Sequence, residues 1–126
     1  MADQGFPASG RLLTSSEFDA VFKKNQIKIS TPEFLFLVAD NQVEQSRLGM
    51  VVSKKNTSHA VDRNQLKRLV REVFRKTQMA PVDVVVLTRT GANKQSNQAL
   101  IRVLEKSFYK ITTRINDRTM SNKEAT

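Results

Sequence analysis

Apolar residues recur along the chain at two spacings, one typical of helices and one typical of buried strands. The longest helical pattern covers residues 59–78 and is stopped by Pro81. Its apolar positions, three or four residues apart, are Leu66, Leu69, Val70, Val73 and Phe74. The same spacing predicts a final helix over residues 96–113, with Leu100, Val103, Leu104, Phe108 and Ile111 facing inward. Each helix has one apolar side that another element must cover.

A shorter helix is predicted near the start of the chain. Thr14 is followed three residues later by Glu17, which is the pattern of a capping box. Leu13 and Phe18 have the spacing of a hydrophobic staple. We expect this helix to end near Lys24, with one side formed by Phe18, Val21 and Phe22.

Strand patterns fill the segments between the helices. Residues 27–40 are extended, with alternation at 27–29, an interruption at Pro32 and an apolar run over 34–39. A second strand is predicted over residues 47–53, and a polar loop at 40–46 favours a hairpin between the two. Residues 82–88 form a β-branched run between Pro81 and Gly91, which is typical of a buried strand.

The elements follow in the order helix, two or three strands, helix, strand, helix, which predicts an α+β two-layer sandwich with helices packed on a small mixed sheet. The 126 residues are the length of one domain. We place that domain at residues 13–114, after an N-terminal extension over 1–12. The polar residues 115–126 are expected to form a disordered tail.

Charge and composition restrict the function. Lys and Arg number 21 against 12 acidic residues, a net charge of +9, which indicates a polyanionic partner. The chain has no Cys and one His, which excludes disulfides and a Cys or His metal cluster. It offers no paired carboxylates, no phosphate-binding glycine loop and hence no catalytic residues. Without a long apolar run or a signal peptide at its start, we expect a cytoplasmic protein with no membrane partner.

The cations of the long helix are arranged as a stripe. Arg63, Lys67, Arg71 and Arg75 are four residues apart and advance about 40° each around the helix. Asn64 and Arg68 fall in the same sector. Solvated helix faces usually mix signs at this spacing, because like charges there cost a few tenths of a kcal/mol. The stripe therefore favours contact with nucleic-acid phosphates over an ordinary solvated face.

The same helix also carries a family motif. Residues 63–72, Arg-Asn-Gln-Leu-Lys-Arg-Leu-Val-Arg-Glu, resemble the signature of the bacterial ribonuclease P protein family. Ala-Val at 60–61 and Val-Ser-Lys-Lys at 52–55 match as well, and the resemblance extends from about Arg11 to Ile111. Two positions depart from the pattern, because Gln65 replaces the second Arg of an Arg-Asn-Arg triplet and His59 replaces a Lys.

The resemblance implies a function beyond what charge indicates. The chain would be the accessory protein subunit of an endoribonuclease whose RNA subunit removes the 5′ leader of precursor tRNA, with Mg²⁺ held mainly by that RNA. Its partners would be the catalytic RNA and the precursor tRNA, with one monomeric protein per RNA. The implied fold is an α-β-β-β-α-β-α sandwich that resembles the second domain of the fifth small-subunit ribosomal protein, with a left-handed crossover around the basic helix.

The resemblance also implies two groups of site residues. The RNA-binding group is Lys54, Lys55, His59, Arg63, Asn64, Lys67, Arg68, Arg71, Arg75 and Arg89. The group lining a cleft for the leader is Phe18, Phe22, Leu35, Leu37, Lys67 and Arg71. From the pattern alone, the two Phe and the two Leu also fit a core, and Arg89 also fits a solvated loop.

Three other functions are compatible with a basic domain. A different structured-RNA-binding protein, such as a ribosomal protein, would use the same helix but ignore the leader. A DNA-binding regulator would need a helix-turn-helix, which the strand ending at Ser53 opposes. A self-sufficient nuclease would need acid–base residues that this sequence does not offer.

Overall fold

The computed structural model describes residues 11–12, 14–41, 45–55, 57–77 and 79–125. The helices are α1 (Ser15–Lys24), α2 (Ala60–Thr77) and α3 (Asn97–Ala125), with a short 3-10 helix at Thr90–Lys94. The strands are β1 (Ile27–Ser30), β2 (Phe34–Asp40), β3 (Arg47–Val51) and β4 (Val82–Thr88). This order confirms the α-β-β-β-α-β-α arrangement expected from the sequence.

The four strands form one mixed sheet in the order β1-β2-β4-β3. β1 pairs with β2 and β2 with β4 antiparallel, whereas β3 pairs with β4 parallel. The hairpin predicted between β2 and β3 is therefore wrong, because β4 lies between them. The physical reason is the burial of β4: Val84, Val85 and Val86 are all covered, so both faces of this strand need the centre of the sheet.

Each face of the sheet has its own apolar cluster. The larger cluster joins β1–β4 to α2 and α3. Within it, the rings of Phe36 and Phe74 each pack edge-on against the ring of Phe108, with 5.6 Å between ring centroids. The smaller cluster lies under α1 and contains Leu12, Val21, Leu37, Ala39 and Val85. α2 connects the parallel neighbours β3 and β4, so it forms the crossover that the family resemblance implies. The left-handedness of that crossover stays a prediction.

The ends of the domain differ from the sequence-based boundaries. Leu12 is buried and donates its N–H to the carbonyl of Leu48 at 3.0 Å, so the folded unit already includes residues 11 and 12. α3 continues to Ala125, where the sequence predicted a disordered tail. The backbone can continue because no Pro or Gly follows Gly91 in the sequence. Leu13 of the predicted staple and residues 1–10 of the extension lie outside the described residues.

Candidate nucleic-acid interface

α1 crosses the strands from β3 to β1. At its start, Thr14 and Glu17 form the predicted capping box, and Glu17 also accepts a 2.8 Å hydrogen bond from Arg47 of β3. Arg47 meanwhile donates two hydrogen bonds, of 2.8 and 2.7 Å, to the buried carboxylate of Asp83 on β4. The hydrogen bond with Asp83, followed by the charges of Asp83 and Glu17, raises the pKa of Arg47, so the guanidinium stays protonated. At its other end, α1 leads through two residues into β1.

A row of apolar side chains beside α1 is left uncovered. Leu35 of β2 is in register with Leu87 of β4, which is in register with Val51 of β3. Leu35 and Leu87 are only partly buried, and Val51 is 38% exposed. The next row, with Leu37 and Val85, is buried. The uncovered row is therefore the floor of a groove that runs across the strands alongside α1; we call it the α1 groove.

The wall of the α1 groove is formed by the two phenylalanines of α1. Phe18 packs on the bare backbone of β3, where a Cβ built on Gly49 would lie 2.7 Å from its ring. Phe22 is 40% exposed. The sequence left a core role and a cleft role open for these residues, and in the structure Phe18 is partly buried while much of Phe22 is accessible.

The residues of the groove floor differ from the cleft residues that the family resemblance implies. Leu37 was expected to line the cleft, but it is 7% exposed because α1 covers it. Val51 and Leu87 were not anticipated. The alternation of side chains between the two faces of β3 and β4 could have indicated Val51 and Leu87. It becomes informative only when the order of the strands is known.

The basic stripe lies on the side of α2 that faces away from α3. The α3 side of α2 holds Leu69 and Val73 in a shallow groove with Ile101 and Tyr109 of α3. On the stripe, Lys67 and Arg71 are half-buried, while Asn64 and Arg68 are exposed. Within the described part of the chain, neither Lys67 nor Arg68 forms an ion pair. These two charges are available to an external anion.

The first and last members of the stripe are engaged inside the protein. Arg63 Nη1 donates to the carbonyls of Thr57 at 3.0 Å and Ser58 at 2.8 Å, which ties α2 to the loop before it. Arg75 forms a 2.6 Å ion pair with Glu72.

Glu72 also lies 3.5 Å from the Nζ of Lys76, so one carboxylate pairs with two cations at the end of the stripe. The hydrogen bond from Arg75, followed by the charges of Arg75 and Lys76, lowers the pKa of Glu72. Glu72 therefore offsets one positive charge at the end of the stripe.

The loop before α2 presents further predicted RNA-binding residues. Lys54, Lys55 and His59 are all exposed. His59 and Gln65, the two departures from the family motif, line one polar pocket of about 400 Å³ at the start of α2. Both departures thus fall on the α3 side of this helix end, away from Lys67 and Arg71.

Arg89 lies at the opposite end of the α1 groove from α2. It follows β4 and is exposed. Its Nη1 donates hydrogen bonds to the hydroxyl of Ser30 and, at 3.3 Å, to the carbonyl of Thr31. The sequence left Arg89 open between an RNA contact and a solvated loop charge, and the structure shows a guanidinium held at the end of β1.

Among the described residues, no group of three His, Cys, Asp or Glu is placed to hold a metal ion. No helix in the described part of the chain is long and apolar enough to cross a membrane.

Comparison with known proteins decides the family. The family model for ribonuclease P matches residues 6–112. The chain belongs to the ribonuclease P protein family. The ribonuclease P protein component of Legionella pneumophila is 41% identical over 108 residues, covering 86% of this chain and 94% of that protein. For the component of Histophilus somni the identity is 44% over 108 residues, with coverages of 84% and 90%.

Solved structures agree with the family. The ribonuclease P protein of Staphylococcus aureus superposes with a TM-score of 0.69 at 26% identity, covering 85% of this chain and 94% of that one. The protein of Thermotoga maritima gives a TM-score of 0.64 at 30% identity, with coverages of 75% and 97%. The chain is therefore the protein subunit of a tRNA-processing endoribonuclease and associates with ribonuclease P RNA and the tRNA substrate. A ribosomal protein is not favoured.

Proposed function

We propose that the α1 groove binds the single-stranded 5′ leader of precursor tRNA and that the α2 stripe, with Lys54 and Lys55, binds the catalytic RNA. The observation that carries this proposal is the uncovered apolar row beside the exposed Phe22. A soluble domain normally covers such a row, and exposed apolar surface marks a binding site. Flat apolar and aromatic groups flanked by cations are the surface on which single-stranded bases stack.

The division of labour follows from the chemistry of the side chains. Phe22, Lys67 and Arg68 offer aromatic, ammonium and guanidinium groups, which suit the binding and orientation of RNA rather than the activation of water. In this proposal the RNA subunit performs the hydrolysis and holds Mg²⁺. Lys67, Arg68 and Arg71 offset the repulsion between the phosphates of the two RNAs, which favours substrate binding at low Mg²⁺. One protein binds each RNA.

The test compares precursor tRNA with and without its leader, bound to the holoenzyme reconstituted with ribonuclease P RNA. We expect Phe22→Ala to weaken binding of the leader-bearing precursor by roughly 5- to 100-fold, the range for losing one stacked base. Binding of the leaderless tRNA stays unchanged. The matched control is Tyr109→Ala, because Tyr109 is 72% exposed and lies in the α2–α3 groove.

Three results would be informative. If Phe22→Ala weakened both RNAs equally, Phe22 would act on assembly and the leader role would be wrong. An effect of Tyr109→Ala as large as that of Phe22→Ala would contradict the position of the site. Failure of the wild-type protein to stimulate cleavage at low Mg²⁺ would contradict the proposed function as a whole.

A further inference from the structure

The β1 edge of the sheet carries a second group of cations, separate from the α2 stripe. Lys28 is exposed on β1, on the same face as the floor of the α1 groove. Arg89 reaches Ser30 on the same strand. Arg114 of α3 is exposed and places its Nη1 3.5 Å from the carbonyl oxygen of Lys28. We call Lys28, Arg89 and Arg114 the β1-edge cations.

The contacts of the β1-edge cations in the described part of the chain are with neutral groups, and the buried Glu33 lines the same pocket as Arg89 without forming an ion pair with it. Among the residues that the structure describes, no carboxylate forms an ion pair with any of them, in contrast to Arg47 and Arg75. Their hydrogen bonds go to neutral oxygens of Ser30, Thr31 and Lys28. A guanidinium has five N–H donors, so both arginines keep donors that can bind an anion.

The α1 groove leads directly to these cations. Its floor residue Leu35 is in register with Ser30 on β1, so the row that begins at Val51 on β3 ends beside Arg89. Three inter-strand spacings separate β3 from β1, a distance of about 14 Å. The α2 stripe lies at the β3 end of the row. A single strand that enters there and follows the row has cations at both ends of its path.

We propose that the β1-edge cations bind phosphates of the 5′ leader beyond the part that lies in the α1 groove. This inference rests on the proposed function, because only a leader that occupies the groove can reach β1. If the catalytic RNA is bound at the α2 stripe, the cleavage site lies at that end. The nucleotides at β1 are then those farthest from the cleavage site. A short leader does not reach the β1-edge cations, whereas a long one does.

The test uses the holoenzyme reconstituted with ribonuclease P RNA and precursors whose leaders differ only in length. The test variant is Lys28→Ala with Arg114→Ala, which leaves Arg89 and its hydrogen bonds in place. The control is Arg102→Ala with Lys106→Ala, which removes the same charge from exposed positions of α3. Dissociation constants are measured over a range of salt concentrations, for a leader of one or two nucleotides and for one of about ten, within the usual span of single-strand sites.

We expect the test variant to bind the long-leader precursor about three- to tenfold more weakly than the wild type and the short-leader precursor equally well. The slope of log affinity against log salt should fall by about 1.4 for the long leader, the value for two lost phosphate contacts on a single strand. The control variant should match the wild type with both leaders.

The outcomes separate this inference from the proposed function. If the wild type binds the long leader no better than the short one, and Phe22→Ala has no leader-specific effect, both are wrong. If Phe22→Ala shows its leader-specific loss but the test variant behaves like the control, only the role of the β1 edge is wrong. Equal weakening of both precursors by the test variant would also overturn it.

Discussion

At the scale of single residues, the α1 groove depends on two residues that a sequence motif search would pass over. Gly49 has no side chain, which lets the ring of Phe18 lie on the β3 backbone. Arg47 joins Glu17 on α1 to Asp83 on β4 and so fixes where α1 crosses the sheet. Neither residue would touch RNA in this arrangement. Both set the positions of the residues that form the groove.

Gly49→Ala should move Phe18. Its Cβ would lie 2.7 Å from Cε1 and 2.8 Å from Cζ of that ring, so the ring must shift outward. We expect a loss of about 1–3 kcal/mol in the free energy of unfolding, the usual cost of overpacking, measured by urea denaturation. Adding Phe18→Leu should remove part of the clash, so that the double variant is more stable than the sum of the single effects implies. Strict additivity would contradict the packing described for Phe18.

Arg47→Met should be strongly destabilising. Asp83 is 5% exposed, and without Arg47 it loses the partner that donates two hydrogen bonds to it. We expect a loss of about 3–5 kcal/mol in the free energy of unfolding, as for other broken buried ion pairs. The control is Arg75→Met, which removes an exposed i,i+3 ion pair and should cause no measurable change. Equal effects in the two variants would show that the Arg47 network does not hold α1.

At the scale of elements, α2 has different tasks along its length. Its start is tied to the preceding loop by Arg63, and Glu72 offsets one of the two positive charges of its last turn. Its middle carries the half-buried Lys67 and the exposed Arg68, which form no ion pair in the described part of the chain. The sequence shows one periodic stripe because helical spacing fixes which residues share a face. Spacing does not fix which of those residues find partners inside the protein.

This distinction predicts unequal roles within the stripe. Arg68→Ala should weaken binding of ribonuclease P RNA and lower the salt dependence of that binding by about one unit of slope. Arg75→Ala should have a smaller effect, because Glu72 already offsets the charge of that guanidinium and keeps its ion pair with Lys76 after the substitution. Filter binding at several salt concentrations measures both variants. A larger effect of Arg75→Ala would contradict the idea that the middle of the stripe carries the interface.

At the scale of the whole molecule, the position of β4 creates the floor of the α1 groove. Because β4 is inserted between β2 and β3, Leu35, Leu87 and Val51 come together in one row. A hairpin of β2 with β3 would have left no continuous floor between α1 and the α2 stripe. The β1 edge and the α2 stripe then lie at opposite ends of this row, so a polyanion that follows the row can contact both.

The net charge of +9 should make salt act in opposite directions on stability and on binding. Raising NaCl from about 0.05 M to about 0.3 M screens the self-repulsion of the free protein, so its melting temperature should rise by a few degrees. The same change should weaken RNA binding, because releasing counterions from the RNA into a more concentrated salt solution is less favourable. Differential scanning fluorimetry and RNA titration measure the two effects. Arg102→Gln with Lys106→Gln lowers the net charge and should reduce the rise; an unchanged rise would contradict screening as its cause.

The sequence by itself determined the order of elements, the capping box of α1, the apolar side of each helix and the basic stripe of α2. These features depend on the spacing of residue types along the chain, which can be recognised without the tertiary structure. The motif at residues 63–72 also identified the family before any fold was known.

Only the tertiary structure decided which strand lies in the centre, which apolar residues are left uncovered and which cations are already paired. Leu37 and Val51 show the difference, because strand alternation predicts two faces for each strand but not where α1 covers them. Arg75 and Lys28 show it for charge, because Glu72 neutralises the former while no carboxylate in the described part of the chain pairs with the latter. Such contacts join residues that are distant in sequence, and the packing of the whole sheet sets them.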